Sequence, residues 1–266
     1  MNYIQISGGL GNHLFQYTFA KYIELLTGQT SVLCTDFYNS DHNGTITTPR
    51  IFNLDKFCTS YVSVNGRICY DNTVFENGFE PISFANNNYY KGYWQDKKYY
   101  YSIFDSLNDE LKLKPELITD AMKRISDIML QNDSVAIHVR RTDYLSPWHI
   151  NGFVSLSLDY YTKAVEIITE RTGHKPVLYI FSDDHDYIQT NMSNLCGCET
   201  VIMNTRNDYE DMYLMYMTKH HIIANSTFSW WGSILSEYPE GITIAPQKWF
   251  KTIPEHDLYP DNWLII

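Results

Sequence analysis

The sequence predicts an α/β protein of two halves, the C-terminal one built as a doubly wound parallel sheet. From residue 132 onward, strands of continuous apolar character alternate with helical patterns, which is typical of a sheet covered by helices on both faces. At the N-terminus a strand, a glycine loop and a helix follow one another. The 266 residues, 44% of them hydrophobic, are enough for two modest cores.

The first elements belong to the N-terminal half. A strand is predicted at Tyr3–Ile6, the glycine loop SGGLGN follows at 7–12, and apolar side chains then recur at helical spacing up to Leu26. A second strand is predicted to end at Asp36. From there to about Ser106 the chain is rich in Asn, Gly and Tyr, and no regular order can be predicted.

The elements of the C-terminal half are clearer. A helix is predicted from Pro115 to Leu130, because proline suits the first helical turn. We place the boundary after it, giving an N-terminal half of 1–131 and a C-terminal half of 132–266. The pattern then predicts strands at 134–139, 177–182, 199–203, 221–225 and 242–245, and helices at 158–171, 185–194, 209–219 and 227–237.

Composition excludes some classes of partner. The net charge of −11 argues against general electrostatic binding to nucleic acid or to an anionic membrane. No basic leader and no run of eighteen apolar residues is present, which predicts a soluble, cytoplasmic protein. The five cysteines are an odd number without metal-binding spacing, and we interpret them as reduced thiols.

Charged residues follow the first strand of the C-terminal half. Ligands of doubly wound sheets bind at the carboxyl ends of strands, and alternation puts His138 and Arg140 on one face. Arg140 could therefore bind a phosphate or carboxylate with two parallel hydrogen bonds. The alternative is that Arg140 and Arg141 form structural ion pairs with Asp143 or Asp183.

A second polar segment enters a helix through Asn225, Ser226 and Thr227. Unpaired N–H groups and the positive end of the helix dipole can bind an anion there. Ordinary N-capping is the alternative. Together with Arg140, this helix start predicts a site for a pyrophosphate.

The segment FSDD places Asp183 and Asp184 after another strand. Either carboxylate could accept hydrogen bonds from a nucleobase or a ribose, or cap the next helix. A DxD pair that would hold a cation against a nucleotide diphosphate is absent, and we expect no metal.

The glycine loop has Gly9 and Gly11 in place, but Leu14 occupies the third position of a dinucleotide fingerprint, which argues against NAD. Glycines allow a ligand to approach the backbone closely, and Asn12 and His13 lie at the helix entrance. A tight turn without function is the alternative.

An aromatic block spans residues 86–101 and contains Tyr93 and Trp94. These rings could stack on an acceptor sugar, or they could pack a small core.

Six segments in order resemble the bacterial α-1,2-fucosyltransferases, glycosyltransferase family 11. They are GGLGNHLFQYTFAKY, GYWQDKKYY, AIHVRRTDYL, YIFSDD, DMYLMYMTKHHIIANSTFSWWGSIL and IAPQKWF, and they cover nearly the whole chain. The resemblance implies a GT-B-like fold of two facing Rossmann-like halves, the first on the acceptor side. It also implies GDP-fucose as donor, a galactose-terminated oligosaccharide or lipid-linked glycan as acceptor, inversion at the anomeric carbon, and no required metal or cofactor. Peripheral association with a membrane is left open.

The resemblance also implies roles for individual residues. Arg140 corresponds to the pyrophosphate ligand, Asp183 or Asp184 lies near the guanine, and the phosphates are surrounded by Ser226, Thr227, Phe228 and Ser229. One departure falls at position 13, where the family usually has Gln and this chain has His.

The sequence offers three candidates for the base that takes the proton of the acceptor hydroxyl. Asp143 is the first candidate, because a carboxylate near an arginine stays ionised at neutral pH; His13 and His149 are alternatives. Two other functions remain as alternatives to fucosyl transfer: another nucleotide-sugar-dependent glycosyltransferase, and a carbohydrate-binding protein without catalysis.

Overall fold

The computed structural model describes residues 1–39, 50–76, 84, 86–142, 144–145, 152–251 and 257–266. The chain forms two compact units, the first of Met1–Lys114 with His256–Tyr259 and the second of Pro115–Glu255 with Pro260–Ile266. The division thus falls after Lys114, earlier in the chain than the boundary predicted at 131. The helix before that boundary lies in the second unit, where Ser126 contacts Tyr213 through their hydroxyl groups.

The first unit contains a sheet of five parallel strands in the order β3-β2-β1-β5-β4. The strands are β1 Asn2–Gln5, β2 Ser31–Cys34, β3 Val62–Val64, β4 Asn72–Phe75 and β5 Asn88–Lys91. The first two confirm the sequence prediction. The other three lie in the segment for which the sequence predicted no order, and two of them, β3 and β4, expose most of their residues.

The helices of this unit are α1 Leu10–Thr27, α2 Lys97–Tyr100 and α3 Phe104–Leu107. Helix α1 ends at Gly28, whose φ of 66° is the left-handed conformation that commonly terminates helices. Its apolar face packs the core of the unit, in which Phe15, Phe19 and Ile23 are buried together with Tyr90 and Trp94.

The second unit contains six parallel strands in the order β11-β10-β9-β6-β7-β8. The strands are β6 Ser134–Val139, β7 Val177–Ser182, β8 Thr200–Ile202, β9 His220–Ile222, β10 Thr243–Ala245 and β11 Leu264–Ile265. The helices are α4 Asp120–Gln131, α5 Leu158–Thr172, α6 His185–Asn191, α7 Asp208–Tyr216 and α8 Thr227–Ile234. The predicted doubly wound sheet is confirmed; only β11 was not predicted.

All six residues of β6 are buried, as expected for a central strand with both faces covered. One side of the sheet packs Val135, Ile137 and Val139 against Val165 and Ile168 of α5. No described helix is both long and apolar enough to cross a membrane.

Candidate functional site

The strand order of the second unit defines a crevice between β6 and β9. From β6 the chain proceeds through β7 and β8 to one edge of the sheet, and from β9 through β10 and β11 to the other. In doubly wound sheets ligands bind at this reversal, outside the carboxyl ends of the strands. Arg140 follows the end of β6, and Asn225 to Thr227 follow β9 and begin α8.

Asp183 holds the turn that follows β6. Its Oδ2 lies 3.1 Å from Nη1 of Arg140, its Oδ1 accepts a hydrogen bond of 2.9 Å from the backbone N–H of Arg141, and the Thr142 hydroxyl donates to Oδ2. The Arg140 and Asp183 side chains are each 19% exposed. The guanidinium is therefore anchored on one side by a carboxylate and still reaches solvent.

Arg141 braces the adjacent turn. Its Nε donates to Oδ2 of Asp184 at 3.1 Å, and its guanidinium lies 3.6 Å from the centre of the Tyr187 ring. Asp184 also accepts from the Tyr187 backbone N–H and caps α6. Asp184 thus has the capping role that was one of its two alternatives. Arg140 pairs with Asp183, one of the two predicted partners, whereas Arg141 pairs with Asp184, which was not predicted as its partner.

His138 connects the end of β6 to the start of α8. Its ring centre lies 5.5 Å from that of Phe228. Burial lowers the pKa of His138 well below its ordinary value and the charge of Arg140 lowers it further, so the imidazole is neutral. Nδ1 is buried and has no hydrogen-bond partner among the described residues.

The polar segment before α8 divides into two roles. Asn225 donates to the carbonyls of Val154 and Trp249, both at 2.9 Å, and so fixes two neighbouring segments. The Ser226 hydroxyl accepts a hydrogen bond from the backbone N–H of Phe228 and so caps α8. This is the N-capping role that was one of the two alternatives for this segment. The first turn of α8 carries no acid, so the positive end of this eight-residue helix has no neutralising carboxylate of its own.

In the first unit β1 and β5 are neighbouring parallel strands, and the glycine loop follows β1. The glycine that this loop requires is Gly8, which was not predicted: its φ is +83°, and a Cβ there would lie 2.4 Å from Nδ2 of Asn12. Gly9 caps α1 and Gly11 lies within the helix. Asn12 accepts a hydrogen bond of 3.0 Å from Gln95.

His13 is fully buried. Its Nε2 lies 3.1 Å from the Gly8 carbonyl and contacts the Tyr38 hydroxyl. Burial, with a smaller contribution from the nearby charge of Arg50, lowers the pKa of His13 to about 4 although the hydrogen bond to Gly8 raises it. A neutral imidazole held against the carbonyl and shielded from solvent is poorly placed to take a proton from a substrate, so the structure disfavours His13 as catalytic base.

The two aromatic residues predicted to bind an acceptor differ in exposure. The Trp94 ring is fully buried and stacks on Phe19 with ring centres 3.9 Å apart, so it packs the core rather than facing a ligand. Tyr93 is 45% exposed and remains a candidate.

Sequence reasoning missed Gln16. Its Oε1 accepts from the Ser7 backbone N–H, and its Nε2 donates to the Gly92 carbonyl, both at 2.9 Å. The amide thus joins the chain after β1 to the chain after β5. The sequence does contain a signal for this role: Gln16 is a polar residue on the apolar face of a predicted helix. A buried amide needs hydrogen-bond partners, so such a position indicates a structural hydrogen bond.

Asp211, also missed, lies in the first turn of α7. Burial raises the pKa of Asp211 to about 7, although the Thr205 hydroxyl donates to it.

The remaining base candidates, Asp143 and His149, lie outside the described residues. Among the described residues, no cluster of three His, Cys, Asp or Glu side chains is arranged to hold a metal ion.

Comparison with known proteins gives three kinds of match. The model of the family described as Glycosyl transferase family 11 matches residues 70–266. The O-antigen biosynthesis glycosyltransferase WbnK of Escherichia coli is 28% identical over 98% of this chain and 99% of its own, and an α-1,2-colitosyltransferase of Escherichia coli is 30% identical over 98% and 97%. The structure of NodZ α-1,6-fucosyltransferase soaked with GDP-fucose matches 88% of this chain and 92% of its own, with a TM-score of 0.54 at 13% identity. This last likeness concerns the fold, and it confirms the GT-B-like class.

Proposed function

The chain belongs to glycosyltransferase family 11, and on this premise we propose that it transfers L-fucose from GDP-fucose to the 2-hydroxyl of a terminal galactoside, with inversion. The resemblance of the six sequence segments supports the donor and the linkage. The cytoplasmic location expected from the sequence stays a prediction.

The single observation that carries this proposal is the contact between the His138 and Phe228 rings. It joins the strand end that bears Arg140 to the helix start that bears Thr227. A guanidinium and the amide end of a helix on one crevice match the two negative charges of a diphosphate.

The chemistry follows from where charge develops. As the bond between the anomeric carbon and the β-phosphate breaks, the sugar acquires oxocarbenium character and negative charge grows on the leaving GDP. Arg140 and the start of α8 would stabilise that charge more in the transition state than in the bound substrate, which accelerates the reaction. The acceptor 2-hydroxyl attacks from the opposite face and loses its proton to a base, for which Asp143 remains the candidate.

A second candidate is transfer of colitose from GDP-colitose. A relative of 30% identity over nearly the full length is named an α-1,2-colitosyltransferase. Colitose is fucose without its 3-hydroxyl, so the same diphosphate and guanine contacts would serve both donors. The choice between them depends on whether the site hydrogen-bonds that hydroxyl.

A donor screen tests both candidates. The purified chain is incubated with lactose and with GDP-fucose, GDP-colitose or UDP-galactose, with and without EDTA, and release of nucleoside diphosphate is measured. We expect lactose-dependent GDP release from GDP-fucose, a 1→2 linkage in the product, and no effect of EDTA.

Each other outcome changes the assignment. Preference for GDP-colitose would replace the donor sugar, and turnover of UDP-galactose alone would reject a GDP-sugar. Binding of lactose without any nucleotide release would favour the non-catalytic alternative.

A further inference from the structure

A strained turn follows strand β5 in the first unit. We call Gly92–Gln95 the platform turn. Within this turn, Trp94 has a φ of 59°, which is a left-handed backbone conformation. For a bulky residue this conformation costs of order 1–3 kcal/mol, and it persists only where surrounding contacts enforce it. Such strain tends to mark functional positions.

A carboxylate holds this turn from one side. Oε2 of Glu76, the residue after β4, accepts hydrogen bonds from the backbone N–H groups of Tyr93 at 2.7 Å and Trp94 at 2.9 Å. A Cβ on Gly92 would lie 2.5 Å from the Cβ of Glu76 and 2.8 Å from its Oε2. The glycine therefore admits the carboxylate, and two successive N–H groups converge on one oxygen.

Helix α1 holds the turn from the other side. Two hydrogen bonds connect them: Gln16 donates to the Gly92 carbonyl at 2.9 Å, and Gln95 donates to Asn12. The Trp94 ring also stacks on Phe19. With the backbone fixed on both sides and Trp94 turned into the core, the residue left 45% exposed is Tyr93. Tyr93 lies at the carboxyl end of β5, beside the glycine loop that follows β1.

We propose that Glu76 is a positioning residue that fixes Tyr93 as a stacking platform for the pyranose ring of the acceptor. The proposal rests on the proposed function and specifies its acceptor side. One face of a pyranose is apolar and packs on an aromatic ring, and a platform held in place before binding loses little freedom when the sugar arrives. Glu76 acts through Tyr93 and takes no proton from the acceptor.

Kinetics with lactose as acceptor and GDP-fucose as donor test the platform. We expect Tyr93→Ala to raise KM for lactose about tenfold, the loss of one aromatic contact, with KM for GDP-fucose unchanged. Tyr93→Phe keeps the ring and should behave like the wild type. Tyr101→Ala removes another exposed tyrosine of the same unit, 68% exposed, and should change neither constant.

Glu76→Gln tests the positioning. The neutral amide is a weaker acceptor for the two N–H groups, so we expect faster hydrogen exchange at Tyr93 and Trp94 and an increase in KM for lactose of about threefold to tenfold. Exchange at Leu33 and Ile137, in central strands, should stay slow. An unchanged KM for lactose in Tyr93→Ala, or unchanged exchange in Glu76→Gln, would overturn the proposal.

Direct binding separates this proposal from the proposed function. Lactose is titrated into the GDP-saturated wild type, and binding is followed by saturation-transfer NMR. Signals from one face of the galactose ring that disappear in Tyr93→Ala would support the platform. Absence of lactose binding to a protein that binds GDP would overturn the platform alone, whereas absence of GDP binding would count against the proposed function.

Discussion

In both units the candidate residues follow the carboxyl ends of two neighbouring parallel strands: β1 and β5 in the first, β6 and β9 in the second. The second unit places charges there, with Arg140 on Asp183 at 3.1 Å and Arg141 on Asp184 at 3.1 Å. The first unit places an exposed ring there, Tyr93, on a turn held by the Gln16 amide and the Glu76 carboxylate.

We infer from this difference that the residues after each strand determine which kind of ligand can bind there. A partly buried arginine needs a neighbouring carboxylate to pair with its charge, and the ion pair also fixes the orientation of the guanidinium group. An aromatic surface carries no charge to be paired, and the backbone that bears Tyr93 is fixed by hydrogen bonds to Glu76 and Gln16. We therefore expect changes in the second unit to alter turnover and changes in the first to alter acceptor binding or stability.

The largest effect is expected at Arg140. Arg140→Ala should lower kcat by about 10²- to 10³-fold, because a charge contact made chiefly in the transition state is lost. Arg140→Lys keeps the charge but loses the planar fork and should recover only part of the rate. Steady-state kinetics with GDP-fucose and lactose measure both.

Arg171→Ala, an exposed arginine in the last turn of α5, is the matched control and should leave kcat unchanged. Thermal unfolding of Arg140→Ala should match the wild type within a few degrees. A folded Arg140→Ala protein with normal kcat would remove the charged site from the mechanism and with it the contrast between the units.

The second prediction concerns His13 and stability. The unfolded chain protonates this imidazole below about pH 6.5, whereas the folded protein does so only below about pH 4. The unfolded state therefore binds more protons between these values, and stability is lost as pH falls. We expect His13→Gln, which can still bond the Gly8 carbonyl, to reduce the loss of unfolding free energy between pH 7 and pH 4 by about 2 kcal/mol.

Urea unfolding of both proteins across this range measures the difference. Burial also lowers the pKa of His221 to about 4, so the His13→Gln variant should remain partly acid-sensitive. The pH profile of kcat should stay the same in His13→Gln; a lost limb in that profile would restore His13 as a base and contradict its assignment to stability.

The sequence predicted the second unit better than the first, for physical reasons. Strands such as β6 and β7 are six residues long and buried, and their apolar runs are visible in the sequence. Strands β3 and β4 lie at the edges of the first sheet and expose most of their residues, so they carry no apolar pattern. Their position in the sheet depends on pairing with other strands, β3 with β2 and β4 with β5.

The candidate site was predicted in part for a similar reason. The positions of Arg140 and Asp183 follow from strand ends, which the sequence shows. Other features of the site arise from contacts between different segments of the chain. They are the pairing of each arginine with a different aspartate, the requirement for glycine at position 8, and the hydrogen bond from the Tyr93 backbone to Glu76. No local pattern encodes them.

The smallest effect is expected at Asp183, and it separates the two acidic residues of FSDD. In Asp183→Asn the amide can still accept from the Arg141 N–H, but an NH₂ group replaces the oxygen that Arg140 and Thr142 use. Arg140 then loses its anchor but keeps its charge, so kcat/KM for the donor should fall about tenfold, less than on removing the arginine.

Asp184→Asn is the matched control: Asp184 caps α6 and pairs with Arg141, so its loss should lower the melting temperature and leave kcat/KM nearly unchanged. Equal losses of turnover in the two variants would show that the acidic pair acts as one unit and that Asp183 has no separate role in aiming Arg140.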